Sequence, residues 1–252
     1  MKNFMVANVN VKSPRYNLER VEILLRAQID NSLELEWNIE DIILLTNFDY
    51  EFMGVKAVNI PFNEFCWTGS KMFGLKWFFE NNKVDDVIWA HDLDCWQNIK
   101  FDCPEIEIDR DVGASYYSNP KFNGGSVFWK PSSKYIIDEI VKRITENEEV
   151  KEEPTLNKVF KSKEFRDRVS ILNRTYNVGC SGFIPRFNNS LKPIHVCHFH
   201  PYNGIAWEMH ALDREELGEI AVTIRLERLL RKYYKHLAVQ LNPKKKKKKK
   251  KI

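Results

Sequence analysis

The stretch from Val84 to Gln97 constrains this chain most, because an apolar run breaks off in two carboxylates, Asp92 and Asp94, spaced two apart. Val87 to Ala90 reads as a short buried β-strand, and a parallel α/β sheet places its ligands just beyond the carboxyl ends of such strands. Two carboxylates this close repel each other and resist burial unless a cation or a hydrogen-bond donor compensates. Hard oxygen ligands in this pattern point to a divalent metal, Mn²⁺ or Mg²⁺. Asp-x-Asp also occurs as a plain polar turn, so the surrounding sequence must carry the choice.

Before this stretch, strand and helix patterns alternate. Residues 4–11 predict a strand, and from Leu18 the apolar positions Val21, Leu24, Leu25, Ile29 and Leu33 recur at helical spacing. Residues 41–45 form a nearly continuous apolar strand, the mark of a central position covered on both faces. Residues 55–60 predict a third strand stopped by Pro61, and residues 68–81 a helix from whose apolar pattern Lys71 and Lys76 stand out. This alternation predicts an α/β fold with a Rossmann-like, mainly parallel sheet flanked by helices. Neither a dinucleotide fingerprint nor a P-loop is present.

After it the pattern changes. Residues 113–117 predict a strand, and Asn123-Gly124-Gly125 leads into another, either as a tight turn or as a loop touching a ligand. A helix follows over residues 132–147, with Ser132 or Ser133 available as its cap. Glu152 and Glu153 open a short helix, where carboxylates favour the helix dipole. Residues 169–172 and 176–179 read as late strands. Three of the six histidines then fall within residues 194–204, and on a strand His198 and His200 share one face, which makes them candidate metal ligands. Residues 214–241 read as a helical brace, followed by a disordered lysine-rich tail over residues 242–252.

Charge narrows the partners. Eight of the 39 basic residues are the run Lys244 to Lys251, leaving 31 against 35 acidic ones, so the body is mildly acidic at −4. It offers no basic face for specific nucleic-acid binding, although a non-catalytic protein using the lysine tail on a polyanion is the alternative from another functional class. The five cysteines, Cys66, Cys95, Cys103, Cys180 and Cys197, stand singly without a C-x-x-C pair, which argues against a disulfide framework or a zinc knuckle. No apolar run approaches the roughly 20 residues of a membrane span, and a cytoplasmic protein is the expectation.

In combination these parts resemble the GT-A-fold glycosyltransferases, and among them the retaining enzymes related to glycogenin. The likeness spans residues 4–204: a β-α opening half, an apolar strand into Asp92 and Asp94, the Phe122-Asn123-Gly124-Gly125 strand start, Glu152 to Asn157 at a helix start, and a late histidine before Gly204. The resemblance implies a single catalytic domain over residues 1–241, with a nucleotide-binding half (1–97), an acceptor half (98–210) and the helical brace (211–241). It implies transfer of a sugar from a nucleotide-sugar donor, UDP- or GDP-linked, to a hydroxyl of a glycan or glycoprotein acceptor with Mn²⁺ or Mg²⁺. Within enzymes, the runner-up is a nucleotidyltransferase of similar fold.

Carried over by residue, Asp94 resembles the direct metal ligand, Asp92 a contact to ribose and metal, and His198 the third ligand, with His200 its rival. Asn123 resembles a residue holding the sugar, and Lys71 a cation meeting the donor's phosphate or sugar. Asn47, with Lys12 or Arg15, would lie near base and ribose. Glu152 and Glu153 replace the family's usual Asp-Gln-like pair. Either is a candidate general base for an inverting reaction, or an orienting group for a retaining one. Trp67, Trp96, Trp129 and Trp207 are candidates to stack on sugar faces or to fill the core.

Overall fold

Side chains alternate across the first strand, and that alternation sets the layers of the molecule. In β1 (Lys2–Ala7), Phe4 faces one apolar cluster while Met5 and Ala7 face another on the opposite side. The computed structural model describes residues 1–10, 17–61, 69–100, 108–118, 120–146, 151–179 and 189–198. Lys12, Arg15, Trp67, His200, Trp207, the helical brace and the lysine-rich tail lie outside the described residues.

Helix α1 (Leu18–Glu34) starts on Asn17, whose side chain accepts from Arg20 N, and lays Val21, Leu25 and Ile29 against β1 and β2 (Ile42–Thr46). A hairpin, β3 (Glu51–Phe52) and β4 (Val55–Lys56), turns through Met53 and Gly54, both at positive φ. β5 (Val58–Asn59) then joins the sheet, so the expected strand over residues 55–60 is two pieces. Helix α2 (Ser70–Asn81) leads to β6 (Ile88–His91) and β7 (Cys95–Gln97). β8 (Val112–Ser118) and β9 (Lys121–Trp129) pair antiparallel, and α3 (Lys134–Glu146), α4 (Glu152–Lys161), β10 (Val169–Leu172), β11 (Val178–Gly179) and β12 (Val196–His198) follow.

The seven-stranded sheet runs β5-β2-β1-β6-β9-β8-β10. It is parallel from β5 to β6, and β9 runs against both of its neighbours. The expected mixed, mainly parallel sheet is what forms. Helices α2, α3 and α4 bury Met72, Leu75, Ile137, Ile140, Leu156 and Phe160 on one face, and α1 covers the other. A small sheet, β11-β12-β7, closes over Trp89 and Phe128 beside α1. Among the described residues, no helix is long and apolar enough to cross a membrane.

Two local expectations are corrected, for the glycine pair and the serine caps, and one open alternative, for the tryptophans, is decided. Gly124 and Gly125 form no turn or loop but lie inside β9, where Ser126 pairs with His91. Trp96 and Trp129 are fully buried and therefore belong to the core, not to a sugar platform. Neither serine caps α3: Ser133 Oγ donates to Lys130 O within a short 3-10 turn, and Ser132 Oγ donates to Asp111.

Asn157 anchors α4 to the sheet. Its Oδ1 accepts from Phe122 N at 2.8 Å, and its Nδ2 donates to Phe122 O at 2.8 Å and to Glu153 O at 2.9 Å. Removing that buried amide strands backbone groups at about 1–3 kcal/mol each. Asn157→Ala is therefore expected to lower the unfolding free energy in urea by about 2–4 kcal/mol. Asn157→Asp should do no better, since a carboxylate would face two carbonyls; full stability in either variant would contradict this anchoring role.

Candidate active site

The carboxyl ends of β1 and β6 open into a cleft of about 290 Å³. Its walls include Asn8 after β1, Arg20 and Leu24 of α1, and Lys71 at the start of α2. Asp92 and Asp94 after β6, Gly124 and Gly125 of β9, and Glu152 and Glu153 of α4 complete it. The location is the one that an open α/β sheet favours for ligands.

The turn carrying the two aspartates is held from several sides. Asp92 N donates to Gly125 O at 2.8 Å, and Cys95 N closes the turn on Asp92 O at 3.0 Å. From α1, Gln28 Nε2 donates to Leu93 O and Cys95 O at 2.9 and 2.7 Å, and Asn31 Nδ2 to Gln97 O at 3.2 Å. His91, stacked on Trp89, meets Asp92 O and Asn3 Oδ1 through its two ring nitrogens. Burial pushes the His91 pKa down to about 4.

Lys71 is the buried cation of the site. Its ammonium lies 2.5 Å from Asp92 Oδ1, 2.5 Å from Gly124 O and 3.1 Å from Glu152 Oε1. Three N–H donors thus meet three acceptors. Burial alone would lower its pKa, but Asp92 and Glu152 outweigh burial and raise it. Burial would likewise raise Asp92, yet Lys71 and His198 hold its carboxyl below the ordinary value. Glu152 has the opposite balance: burial pushes it up to about 7 against the pull of Lys71.

Antiparallel pairing of β7 with β12 sets His198 opposite Cys95, one residue beyond Asp94. His198 Nε2 therefore comes within 3.2 Å of Asp94 Oδ1 and 3.8 Å of Asp92 Oδ2. Its ring packs over Gly125, where an added Cβ would stand 2.1 Å from Cε1 and 2.4 Å from Nδ1. Burial opposes charge on this imidazole, but Asp94 and then Asp92 raise its pKa. A field that favours a proton there favours a metal cation too, and carboxylate oxygens with one imidazole nitrogen are a donor set suited to Mn²⁺.

Other sequence candidates take different places. Asn123 is buried, its Oδ1 accepting from Gly125 N at 2.7 Å and from Asn177 Nδ2 at 3.0 Å, so it braces β9 from within. Asn47 clasps Val9 through both backbone groups, tying the exits of β1 and β2 together. Glu153 lines the cleft but pairs with Lys121 at 2.8 Å, outside the Lys71 cluster. Sequence reasoning missed Arg20, Asn8 and the clamp of Gln28. Only Gln28 left a signal, as a polar residue on the buried stripe of α1.

No protein-family model matches the sequence, and no curated protein matches it. Solved structures match in fold. The galactosyltransferase LgtC, in complex with donor and acceptor sugar analogues, superposes with a TM-score of 0.55 over 99% of this chain and 100% of its own, at 13% identity. The glycosyltransferase GlyE of Streptococcus pneumoniae TIGR4 gives 0.53 over 94% of this chain and 64% of its own, at 14% identity. A glycosyltransferase involved in glycosylation of the major capsid of PBCV-1 gives 0.50 over 79% and 93%, at 8% identity. The shared feature is the architecture.

The contact of Gly125 with His198 is testable by itself. Gly125→Ala should displace the ring and weaken Mn²⁺ binding by about 10- to 100-fold, read from the free-ion paramagnetic resonance signal. Gly124→Ala, whose added Cβ meets Glu152 Oε1 at an ordinary 3.5 Å, serves as the control and should bind normally. Equal affinity in both variants would refute the arrangement.

Proposed function

We propose that this chain, which has the GT-A fold, is a glycosyltransferase moving a sugar from a nucleotide-diphosphate sugar to an acceptor hydroxyl. The observation that carries the reading is the convergence of Asp92 and Asp94, which line the cleft, with the buried His198 beside them, on the strand ends where an open α/β sheet favours ligands. Structural neighbours that are themselves glycosyltransferases support it.

In this reading Asp94, His198 and the Oδ2 of Asp92 hold Mn²⁺ or Mg²⁺. Such a cation supplies charge neutralisation to the departing nucleoside diphosphate, an effect worth several kcal/mol. The protein's own part is positioning. Lys71 takes Oδ1 of Asp92 and leaves Oδ2 turned toward His198, so the ligand carboxylate is aimed before anything binds. With all three N–H donors engaged, Lys71 acts through Asp92 and Glu152, and contact with the donor's phosphate would require it to release one of them.

Glu152 is the better candidate of the acidic pair for contact with the acceptor. A carboxyl with a pKa of about 7 can hold or release a proton near neutral pH, which suits a general base, and its bond to Lys71 equally suits an orienting role. The apolar part of the cleft, Val6, Val21, Leu24 and Leu93, offers a surface for the base of the donor.

The test is a panel of nucleotide sugars with Mn²⁺, read as release of nucleoside diphosphate with and without acceptors. Asp94→Asn should reduce release by at least about a hundredfold, and Glu152→Gln should reduce transfer by about 10²–10⁴. Glu153→Gln, which loses only its pair with Lys121, should stay within about tenfold. Failure of every donor, or undiminished release in Asp94→Asn, would remove this function.

A further inference from the structure

We propose that Asp94, Cys95 and His198 form a softer metal site that takes Zn²⁺ or Cd²⁺ and overlaps the harder one inferred above. This rests on the reading of Asp94 and His198 as metal ligands. One donor atom from each of the three residues lies within 4.8 Å of the other two. The pairing of β7 with β12 that delivers His198 to Asp94 also sets it opposite Cys95. Cys95 Sγ donates to Gly125 O at 2.8 Å, so the thiol and the imidazole converge on the same glycine.

The two donor sets differ in kind. Carboxylates with one imidazole accept Mn²⁺, whereas thiolate, imidazole and carboxylate are a three-ligand set typical of zinc with an open position. For such a set the affinity order of divalent metals puts Zn²⁺ well above Mn²⁺. On coordination the Sγ–H bond breaks, the sulfur lone pair forms the metal bond, the proton leaves to solvent, and Gly125 O keeps the Asp92 N–H as its donor. No oxidant or reductant is involved. A soft ion would draw Asp94 and His198 away from the harder set, so traces of Zn²⁺ would inhibit the transfer through Cys95.

The full chain is titrated with Cd²⁺, following the thiolate-to-metal charge-transfer band in the ultraviolet, and separately with Mn²⁺, following the free-ion resonance. One equivalent of Cd²⁺ should produce the band and displace bound Mn²⁺. Cys95→Ser should abolish the band and weaken Cd²⁺ at least about tenfold, with Mn²⁺ affinity kept within about twofold. Should Cys95→Ser fail to fold by circular dichroism, Cd²⁺ competition against Mn²⁺ in the wild type decides the matter. No band at one equivalent, Mn²⁺ that binds but stays bound against Cd²⁺, or a band that survives in folded Cys95→Ser overturns the proposal. Mn²⁺ binding without the band removes this site alone, and a band without Mn²⁺ binding removes the harder site alone.

Discussion

The ammonium of Lys71 is the contact on which the site depends. It comes from α2 and joins the end of β6 through Asp92, the interior of β9 through Gly124 O, and the start of α4 through Glu152. A buried ammonium is tolerated only when each of its protons finds an acceptor. Removing one partner leaves charge uncompensated at a penalty of about 3–5 kcal/mol. Because Lys71 holds one oxygen of Asp92, the other is turned toward His198, and the geometry beyond follows.

Both sheets contribute to what surrounds that contact. The parallel part of the large sheet aligns the ends of β1 and β6, and the antiparallel partner β9 brings its glycines against the aspartate turn. The small sheet adds His198 from the other side of the turn. A side chain at Gly125 would close the space that the imidazole fills, so a strand interior normally hostile to glycine carries one here for a tertiary reason. Polar residues on the buried side of α1 serve the same end, gripping the carbonyls of a turn that has few backbone partners of its own.

Periodicity made most of the elements legible. The apolar spacing from Leu18 predicts a helix over residues 18–33, and α1 spans Leu18–Glu34; the run into Asp92 becomes β6. Tertiary demands were not legible. Gly124 and Gly125 read locally as a turn because glycine punctuates chains, while their role is set by His198 and Lys71, distant in sequence. Position at a strand end made Asp92 and Asp94 candidates, and residue type made His198 one. The register that joins them, through three residues of β7, leaves no pattern in the sequence. Asn47, expected near base and ribose, and Asn123, expected to hold the sugar, have amides that bond Val9 and brace β9.

The central claim is that two carboxylates and a histidine, aimed by Lys71, form a divalent-cation site for a nucleotide-sugar donor. Anomalous diffraction from crystals grown with Mn²⁺ and a nucleoside diphosphate tests it most directly. The account predicts an anomalous peak bounded by Asp92, Asp94 and His198, with the diphosphate against it in the cleft and Lys71 still on Asp92. An ordered diphosphate away from these residues, or one bound there with no anomalous peak beside it, would contradict the account.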